Sequence, residues 1–121
     1  MQFVFDNERP IYKQLVDQFK IQMLTGMYSP DDKLPSVREI ALKTGVNPNT
    51  VQRAFSELEQ VGLVYTKRTS GRYITEDQNK LKNMRDEMAS EWAKEFVGKM
   101  KQLSYDEKEV CEFIQKLGKE K

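Results

Sequence analysis

Apolar side chains first recur at helical spacing near the start of the chain. Pro10 can stand in the first turn of a helix, and Gly26 is suited to end one. Between them, apolar residues return every three or four positions, at Tyr12, Leu15, Val16, Phe19, Met23 and Leu24. The pattern predicts a first helix that ends near Thr25, with Asp6 or Asn7 as its N-terminal cap.

Two more helices are predicted close together after a connector that contains proline and aspartate. Ser36 and Glu39 have the spacing of a capping box, which predicts the start of a short helix that Gly45 ends. Asn47 is suited to cap the next helix, in which Pro48 takes the first position. That helix is amphipathic, and its apolar stripe consists of Val51, Ala54, Phe55 and Leu58.

Two β-branched and aromatic runs, residues 63–66 and 72–75, follow this helix. The basic, glycine-containing stretch between them predicts a β-hairpin. From about Asp77 the chain becomes highly charged, with apolar residues at steps of three or four. Two further helices are therefore predicted, the second of them capped by Ser104 and Glu107.

The predicted fold is mainly α-helical with a small β-hairpin. A short helix, a glycine-containing turn and an amphipathic helix form a helix-turn-helix, and a hairpin directly after it adds a wing. We predict a winged helix-turn-helix domain over residues 1–76, followed by two C-terminal helices over residues 77–121. Because the second helix of such a motif enters the major groove of DNA, the fold predicts a DNA-binding protein.

The distribution of charge agrees with this prediction, although the total charge does not show it. The 121 residues contain 20 Lys and Arg against 19 Asp and Glu, a net charge of +1. Residues 33–75 carry seven basic against three acidic residues, a net charge of +4, whereas both flanks are slightly acidic. The basic segment coincides with the winged motif, and local positive charge attracts phosphate backbones.

The composition argues against catalytic and metal chemistry. The chain has no histidine and one cysteine, Cys111, so the commonest general base is missing and a Cys/His metal site cannot be assembled. We expect no enzyme, no metal and no cofactor. No signal-peptide pattern or spanning apolar run is present, which predicts a cytoplasmic protein without a membrane partner.

The outward face of the second motif helix carries side chains that can read DNA bases. Asn and Gln pair bidentately with adenine, and Arg pairs with guanine. The candidate DNA-binding residues on the two motif helices and the hairpin are Ser36, Arg38, Asn47, Asn49, Thr50, Gln52, Arg53, Lys67, Arg68, Ser70, Gly71 and Arg72.

These candidates also have purely structural interpretations. Arg38 could pair with Glu39 or Glu57 at the surface, and Asn47 is suited to serve as an N-cap. The basic hairpin residues could serve only to keep a strand edge soluble. The alternative function is a winged-helix module that binds another protein and no DNA.

Three ordered motifs lie within about residues 9–75. They are Leu-Pro-Ser-Val-Arg-Glu-Ile-Ala at 34–41, Gly-Val-Asn-Pro-Asn-Thr-Val-Gln-Arg-Ala at 45–54, and Leu-Glu-Gln-Val-Gly-Leu at 58–63. Together they closely resemble the winged helix-turn-helix of the GntR family of bacterial transcription regulators. The resemblance implies that the hairpin tip reaches the minor groove. It also implies DNA contact at Arg38, Asn47, Asn49, Thr50, Gln52 and Arg53.

The chain departs from the family pattern at two positions. Thr69 stands where family members usually carry the first glycine of Gly-x-Gly, and Pro48 stands where some relatives have arginine. The base preference of relatives therefore does not transfer to this chain. The short, two-helix C-terminal part resembles the YtrA subfamily, whose members are dimeric repressors often encoded beside ABC transporters.

The C-terminal helices carry an apolar stripe that a region of about 45 residues does not usually bury alone. Its members are Leu81, Met84, Met88, Trp92, Phe96, Met100, Val110, Phe113, Ile114 and Leu117. We predict a homodimer through residues 78–118, which would present two recognition helices to an inverted-repeat operator in double-stranded DNA. The alternative is that the stripe packs on the first helix of the same chain. Whether a small-molecule effector binds between these helices is left open.

Overall fold

The computed structural model describes residues 3–68 and 70–120. Within these ranges the chain forms five helices and one two-stranded antiparallel sheet. In chain order the elements are α1 (Ile11–Leu24), α2 (Val37–Thr44), α3 (Pro48–Gln60), β1 (Val64–Lys67), β2 (Gly71–Ile74), α4 (Gln78–Gln102) and α5 (Glu107–Lys119). The predicted mainly helical fold with a small hairpin and two C-terminal helices is confirmed.

Helix α1 begins without a side-chain cap, so the prediction that Asp6 or Asn7 caps it was wrong. Pro10 itself occupies the N-cap position. The segment before α1 is held instead by the buried side chain of Gln14, whose amide donates to the carbonyl oxygens of Asp6 and Arg9 at 3.0 and 2.8 Å. The Gln14 side chain therefore holds the segment that leads into α1, although it does not cap the first-turn N–H groups of the helix.

Helices α2 and α3 form the predicted helix-turn-helix. The Ser36 hydroxyl accepts from the Glu39 N–H at 3.1 Å, and the Glu39 carboxylate accepts from the Ser36 N–H at 3.2 Å, which completes the capping box. Gly45 ends α2 at φ +72°, a left-handed conformation that glycine adopts without a steric cost. Asn47 caps α3 at once, so the turn between the two helices is tight.

The core lies between α1, the two motif helices and the base of the hairpin. The rings of Phe19 and Phe55 pack at its centre, with centroids 5.3 Å apart. The remaining members that are at most 3% exposed are Leu15, Val16, Leu34, Ile40, Val51, Ala54, Leu58, Leu63, Val64 and Ile74. Burial of the α3 stripe fixes the rotation of that helix, so that its polar face points to solvent.

The hairpin is extended by a segment that precedes α2. Strands β1 and β2 pair from Val64 with Ile74 to Lys67 with Gly71. Along the other edge of β2, the Leu34 N–H donates to the Arg72 carbonyl at 2.8 Å, and Lys33 forms an antiparallel bridge with Tyr73. Residues 31–34 therefore pair with the second edge of β2 and tie the start of α2 to the wing.

The chain divides into two compact units, Met1–Met84 and Arg85–Lys121. The first, called unit 1, contains α1, α2, α3, the hairpin and the beginning of α4. The second, called unit 2, contains the rest of α4 and all of α5. The functional division at residues 76 and 77 stays a prediction.

Helix α4 has 25 residues, a length that would suffice to cross a bilayer. Its sequence is, however, interrupted by charged residues along its whole length. Among residues 3–68 and 70–120, none of the helices combines the length and hydrophobicity that a bilayer span requires.

The start of α5 differs from the prediction. Ser104 has a left-handed φ of +67° and lies in the connector, so the predicted box of Ser104 and Glu107 was wrong. Asp106 is the N-cap: its carboxylate accepts from the Glu109 N–H at 2.9 Å, and the Glu109 carboxylate accepts from the Asp106 N–H at 3.1 Å. Ser104 with Glu107 and Asp106 with Glu109 both have capping-box spacing. Because Ser104 is left-handed and lies in the connector, α5 begins after Asp106.

Candidate nucleic-acid interface

The exposed face of α3 lies opposite its buried stripe. Asn49, Gln52 and Arg53 are exposed on this face, and Thr50 is half-buried at its margin. The Gln52 amide donates to the Ser56 hydroxyl at 3.4 Å along the same face. Most of the helical residues that the sequence predicted for base contact are thus presented to solvent by one rigid helix.

At the N-terminus of α3, the first backbone N–H groups are not free to donate to a ligand. The Asn47 side chain accepts from the Asn49 N–H at 2.8 Å, which confirms Asn47 as an N-cap. The Thr50 N–H donates to the Asn47 carbonyl at 2.9 Å, and Pro48 has no N–H. Because these first donors are absent or already bonded, DNA contact at this end would depend on the exposed side chains.

Helix α2 adds Arg38 to the same region. A groove of about 530 Å³ lies between α2 and the start of α3, and its lining includes Arg38, Asn47 and Pro48 beside apolar side chains of α2. Glu39 is engaged in the capping box. In the described ranges neither Glu39 nor Glu57 forms an ion pair with Arg38. The exposed guanidinium is therefore available to a ligand.

Arg53 is held by a residue of α1 that the sequence did not suggest for the site. Its guanidinium carbon lies 3.7 Å from the centroid of the Tyr12 ring, a cation–π contact. Such a contact uses the face of the guanidinium and leaves the N–H donors at its edge free. Tyr12 thus holds Arg53 without occupying the groups that would bind a base or a phosphate.

The outer face of the wing combines tyrosines with a lysine. Tyr65 and Tyr73 stack with ring centroids 5.9 Å apart, and Lys67 Nζ lies 4.3 Å from the centroid of the Tyr73 ring. The Tyr65 hydroxyl donates to the Asp31 carboxylate. Lys67 is exposed, so its ammonium is presented to solvent above an ordered aromatic surface.

The described residues on either side of Thr69 are joined by a backbone hydrogen bond. The Ser70 N–H donates to the Lys67 carbonyl at 3.1 Å, and Gly71 begins β2 at φ +112°, where a side chain would be strained. Arg68 and Ser70 are exposed. Thr69, the departure from the family glycine, lies outside the described residues.

Arg72 has a different environment from the other wing candidates. It is half-buried, its guanidinium forms an ion pair with Glu59 of α3, and it lies 5.2 Å above the Phe55 ring. The alternation of side chains along β2 directs Arg72 to the face of the hairpin opposite to Tyr73. Its observed contacts tie the hairpin to α3.

The residues predicted for dimerisation fall into buried and exposed groups. Met84 in unit 1 and both Met88 and Val110 in unit 2 are buried, and Leu81 and Met100 are half-buried. The exposed members, all in unit 2, are Trp92 (53%), Phe96 (37%), Phe113 (40%), Ile114 (53%) and Leu117 (60%).

A helix-turn-helix, a hairpin directly after it and an exposed polar and cationic face on the second motif helix define a winged helix-turn-helix protein. The family model of "Bacterial regulatory proteins, gntR family" matches residues 11–74. The chain belongs to the GntR family of bacterial regulatory proteins.

Two relatives from Bacillus subtilis (strain 168) support the assignment. The chain is 41% identical to the uncharacterized HTH-type transcriptional regulator YhcF over 110 residues, which cover 91% of each protein. It is 50% identical to the HTH-type transcriptional repressor YtrA over 68 residues, which cover 56% of this chain and 52% of YtrA. The predicted similarity to YtrA is confirmed.

Solved structures show the same fold. A GntR family transcriptional regulator from Listeria monocytogenes matches with a TM-score of 0.86 and 38% identity, over 93% of this chain and 98% of that one. The DNA-binding domain of AraR in complex with operator ORE1 matches with a TM-score of 0.54 and 26% identity, over 62% of this chain and 94% of that one. The protein is a GntR-family transcriptional regulator with a DNA-binding domain, and the relatives named above are described as transcriptional regulators.

Proposed function

We propose that this protein is a repressor that binds an inverted-repeat operator as a homodimer. The observation that carries the proposal is the set of exposed side chains on the winged motif. Arg38 on α2, Asn49 and Arg53 on α3, and Lys67 on the wing all face solvent, and none of these cations is neutralised by an ion pair within the described ranges. This arrangement suits a phosphate backbone and the base edges between its strands.

The chemistry divides these residues into two roles. Arg38 and Arg53 present guanidinium groups that can bind guanine bidentately, and Asn49 and Gln52 present amides that can pair with adenine. Lys67 and Arg68 would bind phosphates or enter the minor groove beside the wing. The helical residues would then supply sequence preference, and the wing would mainly supply affinity.

The repressor role and the operator are supported by the relatives. YtrA is a transcriptional repressor by its description, and the AraR domain is bound to an operator. A regulator of this kind that acts on chromosomal DNA would work in the cytoplasm. The YtrA-like arrangement of a winged motif and two helices supports control of a transporter operon as the biological role.

The homodimer is supported by the apolar side chains that unit 2 leaves exposed. On α5, Phe113 and Ile114 are adjacent and Leu117 lies one turn further along, and on α4 Trp92 and Phe96 are spaced by four residues. Monomeric proteins seldom expose contiguous apolar patches of this kind. A second copy would cover them and would place two recognition helices on the two halves of an inverted repeat.

The proposal is tested by selecting duplexes from a random-sequence pool with the full chain and measuring binding to the enriched sequence. We expect an inverted repeat to be enriched. Arg38→Gln and Arg53→Gln should each weaken binding to it by about 1–3 kcal/mol, with a smaller effect on a scrambled duplex. Lys80→Gln is the matched control, because Lys80 lies beside Gly62 at the far end of α3. Failure of the wild-type chain to enrich any sequence would overturn the proposal.

A further inference from the structure

We propose that Lys33 is a phosphate-binding residue of the wing, although it precedes the helix-turn-helix in sequence. This inference rests on the proposed function, because the phosphate belongs to the operator DNA. The chemical class of the ligand is the backbone phosphodiester, and the contact is independent of base sequence.

The backbone of residues 31–34 determines where the Lys33 side chain points. The Asp31 N–H donates to the Ile74 carbonyl at 2.9 Å, and the Ile74 N–H donates to the Asp32 carbonyl at 2.8 Å. With the bridge between Lys33 and Tyr73, these bonds hold Lys33 in register on the edge of β2. Residues opposite each other in antiparallel strands place their side chains on the same face of the sheet. Lys33 therefore shares the outer face of the wing with Tyr73.

The Lys33 side chain extends along this face toward the tip of the wing. A Cβ atom added to Gly71 would lie 3.1 Å from Lys33 Cε and 3.9 Å from Lys33 Nζ. Gly71 pairs with Lys67, whose side chain lies on the same face because alternate residues of a strand do so. The structure thus brings two lysines from separate parts of the chain to one face, and the absence of a side chain at Gly71 makes room for Lys33.

The acidic neighbours of Lys33 direct their carboxylates to hydrogen-bond donors other than its ammonium. The Asp31 carboxylate accepts from the Tyr65 hydroxyl, and the Asp32 carboxylate accepts from the Ser29 N–H at 2.7 Å. Within residues 3–68 and 70–120, Lys33 forms no ion pair. An exposed lysine held beside the wing tip without an ion-pair partner among the described residues is suited to bind an anion.

For Lys33 and Arg72, the position in the sequence and the environment of the charge disagree in opposite ways. Arg72 belongs to the hairpin by sequence, but its charge is paired with Glu59 against α3. Lys33 lies outside the hairpin by sequence, but its side chain reaches the outer face of the wing. A lysine ammonium acts as a point charge without the planar fork that reads guanine, so a phosphate is the expected ligand.

The experiment compares Lys33→Gln with wild type in titrations of two duplexes, the selected operator and a scrambled sequence, over a range of salt concentrations. We expect roughly 5-fold weaker binding of both duplexes near 0.15 M salt. The slope of log affinity against log salt concentration should become less steep by about one, because one fewer counterion is released. Lys33→Arg should retain wild-type binding because it keeps the charge. Lys80→Gln, which removes the same charge beside Gly62, should leave binding and salt dependence unchanged.

Circular dichroism and thermal unfolding of each variant test whether the fold is intact. Equal binding by Lys33→Gln and wild type would overturn this inference while the proposed function stood. Weaker binding without a change in salt dependence, or weaker binding by Lys33→Arg as well, would also overturn it, because either result indicates a structural role for Lys33. Loss of DNA binding by the wild-type chain would instead overturn the proposed function.

Discussion

The two units of the chain differ in how completely they bury their apolar side chains. Among the described residues, unit 1 buries fourteen apolar side chains, whereas unit 2 buries two, Met88 and Val110. Unit 2 also leaves large side chains such as Trp92 and Ile114 about half exposed. Unit 1 therefore has a core of its own, whereas the helices of unit 2 present an exposed apolar surface, which the proposed dimer would cover.

Because of this difference, residues of the same type have different degrees of burial in the two units. Phe55 and Phe113 are both phenylalanines on amphipathic 13-residue helices, yet Phe55 is fully buried and Phe113 is 40% exposed. Phe55 stabilises the DNA-binding fold, since burying a large side chain contributes about 1.5–3 kcal/mol. Phe113 packs edge-to-face on Tyr105 and leaves the rest of its ring exposed to solvent.

The largest effect is expected from a cavity in the core of unit 1. Phe55→Ala should destabilise the protein by about 3–5 kcal/mol, because the fully buried ring packs against Phe19 and lies below Arg72. Urea unfolding followed by circular dichroism measures this cost. Leu42→Ala is the control, because Leu42 is 77% exposed and should change stability by less than about 0.5 kcal/mol. Similar costs for both variants would contradict the idea that unit 1 has a complete core.

The next largest effect is expected from charging the exposed surface of unit 2. Ile114→Glu should dissociate the proposed dimer in sedimentation equilibrium and weaken operator binding by about 100-fold, because the two half-sites would no longer be bound together. The fold of unit 1 should be retained. Gln115→Glu adds the same charge to the neighbouring position of α5 and serves as the control. A wild-type chain that sediments as a monomer at tens of micromolar would refute the dimer.

Removing the cap of one helix in each unit tests whether the units open independently. Ser36→Ala and Asp106→Ala should each cost about 1 kcal/mol, since each removes the acceptor of a capping box. Hydrogen exchange should show reduced protection in α2 for the first variant and in α5 for the second. Ser104→Ala should have little effect, because Asp106 caps α5. Reduced protection of both helices in either variant would show that the units open together.

The smallest effect is expected at the contact between Tyr12 and Arg53. Tyr12→Leu should weaken operator binding about 3-fold, because it removes the ring that holds the guanidinium. Tyr12→Phe retains an aromatic face and should remain close to wild type. In an Arg53→Gln background, Tyr12→Leu should cause no further loss of affinity. An equal loss in both backgrounds would mean that Tyr12 acts on DNA binding independently of Arg53.

Much of unit 1 was predictable because its signals are local. The capping box at Ser36, the turn at Gly45 and the start at Asn47 and Pro48 each depend on residues within a few positions of one another. The apolar stripe of α3 likewise predicted its buried face, and so the exposure of Asn49 and the neighbouring polar residues. Local chemistry of this kind determines the position and orientation of a helix without reference to distant parts of the chain.

The cap of α5 shows where local chemistry is ambiguous. Ser104 with Glu107 and Asp106 with Glu109 both satisfy the same spacing rule, two residues apart. The left-handed backbone at Ser104 follows the end of α4 and decides in favour of Asp106. At α1 neither predicted residue caps the helix, and Gln14 inside the helix instead bonds the segment that precedes it.

By itself, the sequence determined the order of the elements, the helix-turn-helix and the polar face of α3, because hydrophobic periodicity and capping act over a few residues. Only the tertiary structure decided the surroundings of the basic side chains. It paired Arg72 with Glu59 and placed the Tyr12 ring against Arg53. It also placed Lys33, which precedes the helix-turn-helix in sequence, on the wing that follows it. The physical reason is that an ion pair, a cation–π contact and a strand register depend on packing between elements, which no local pattern encodes.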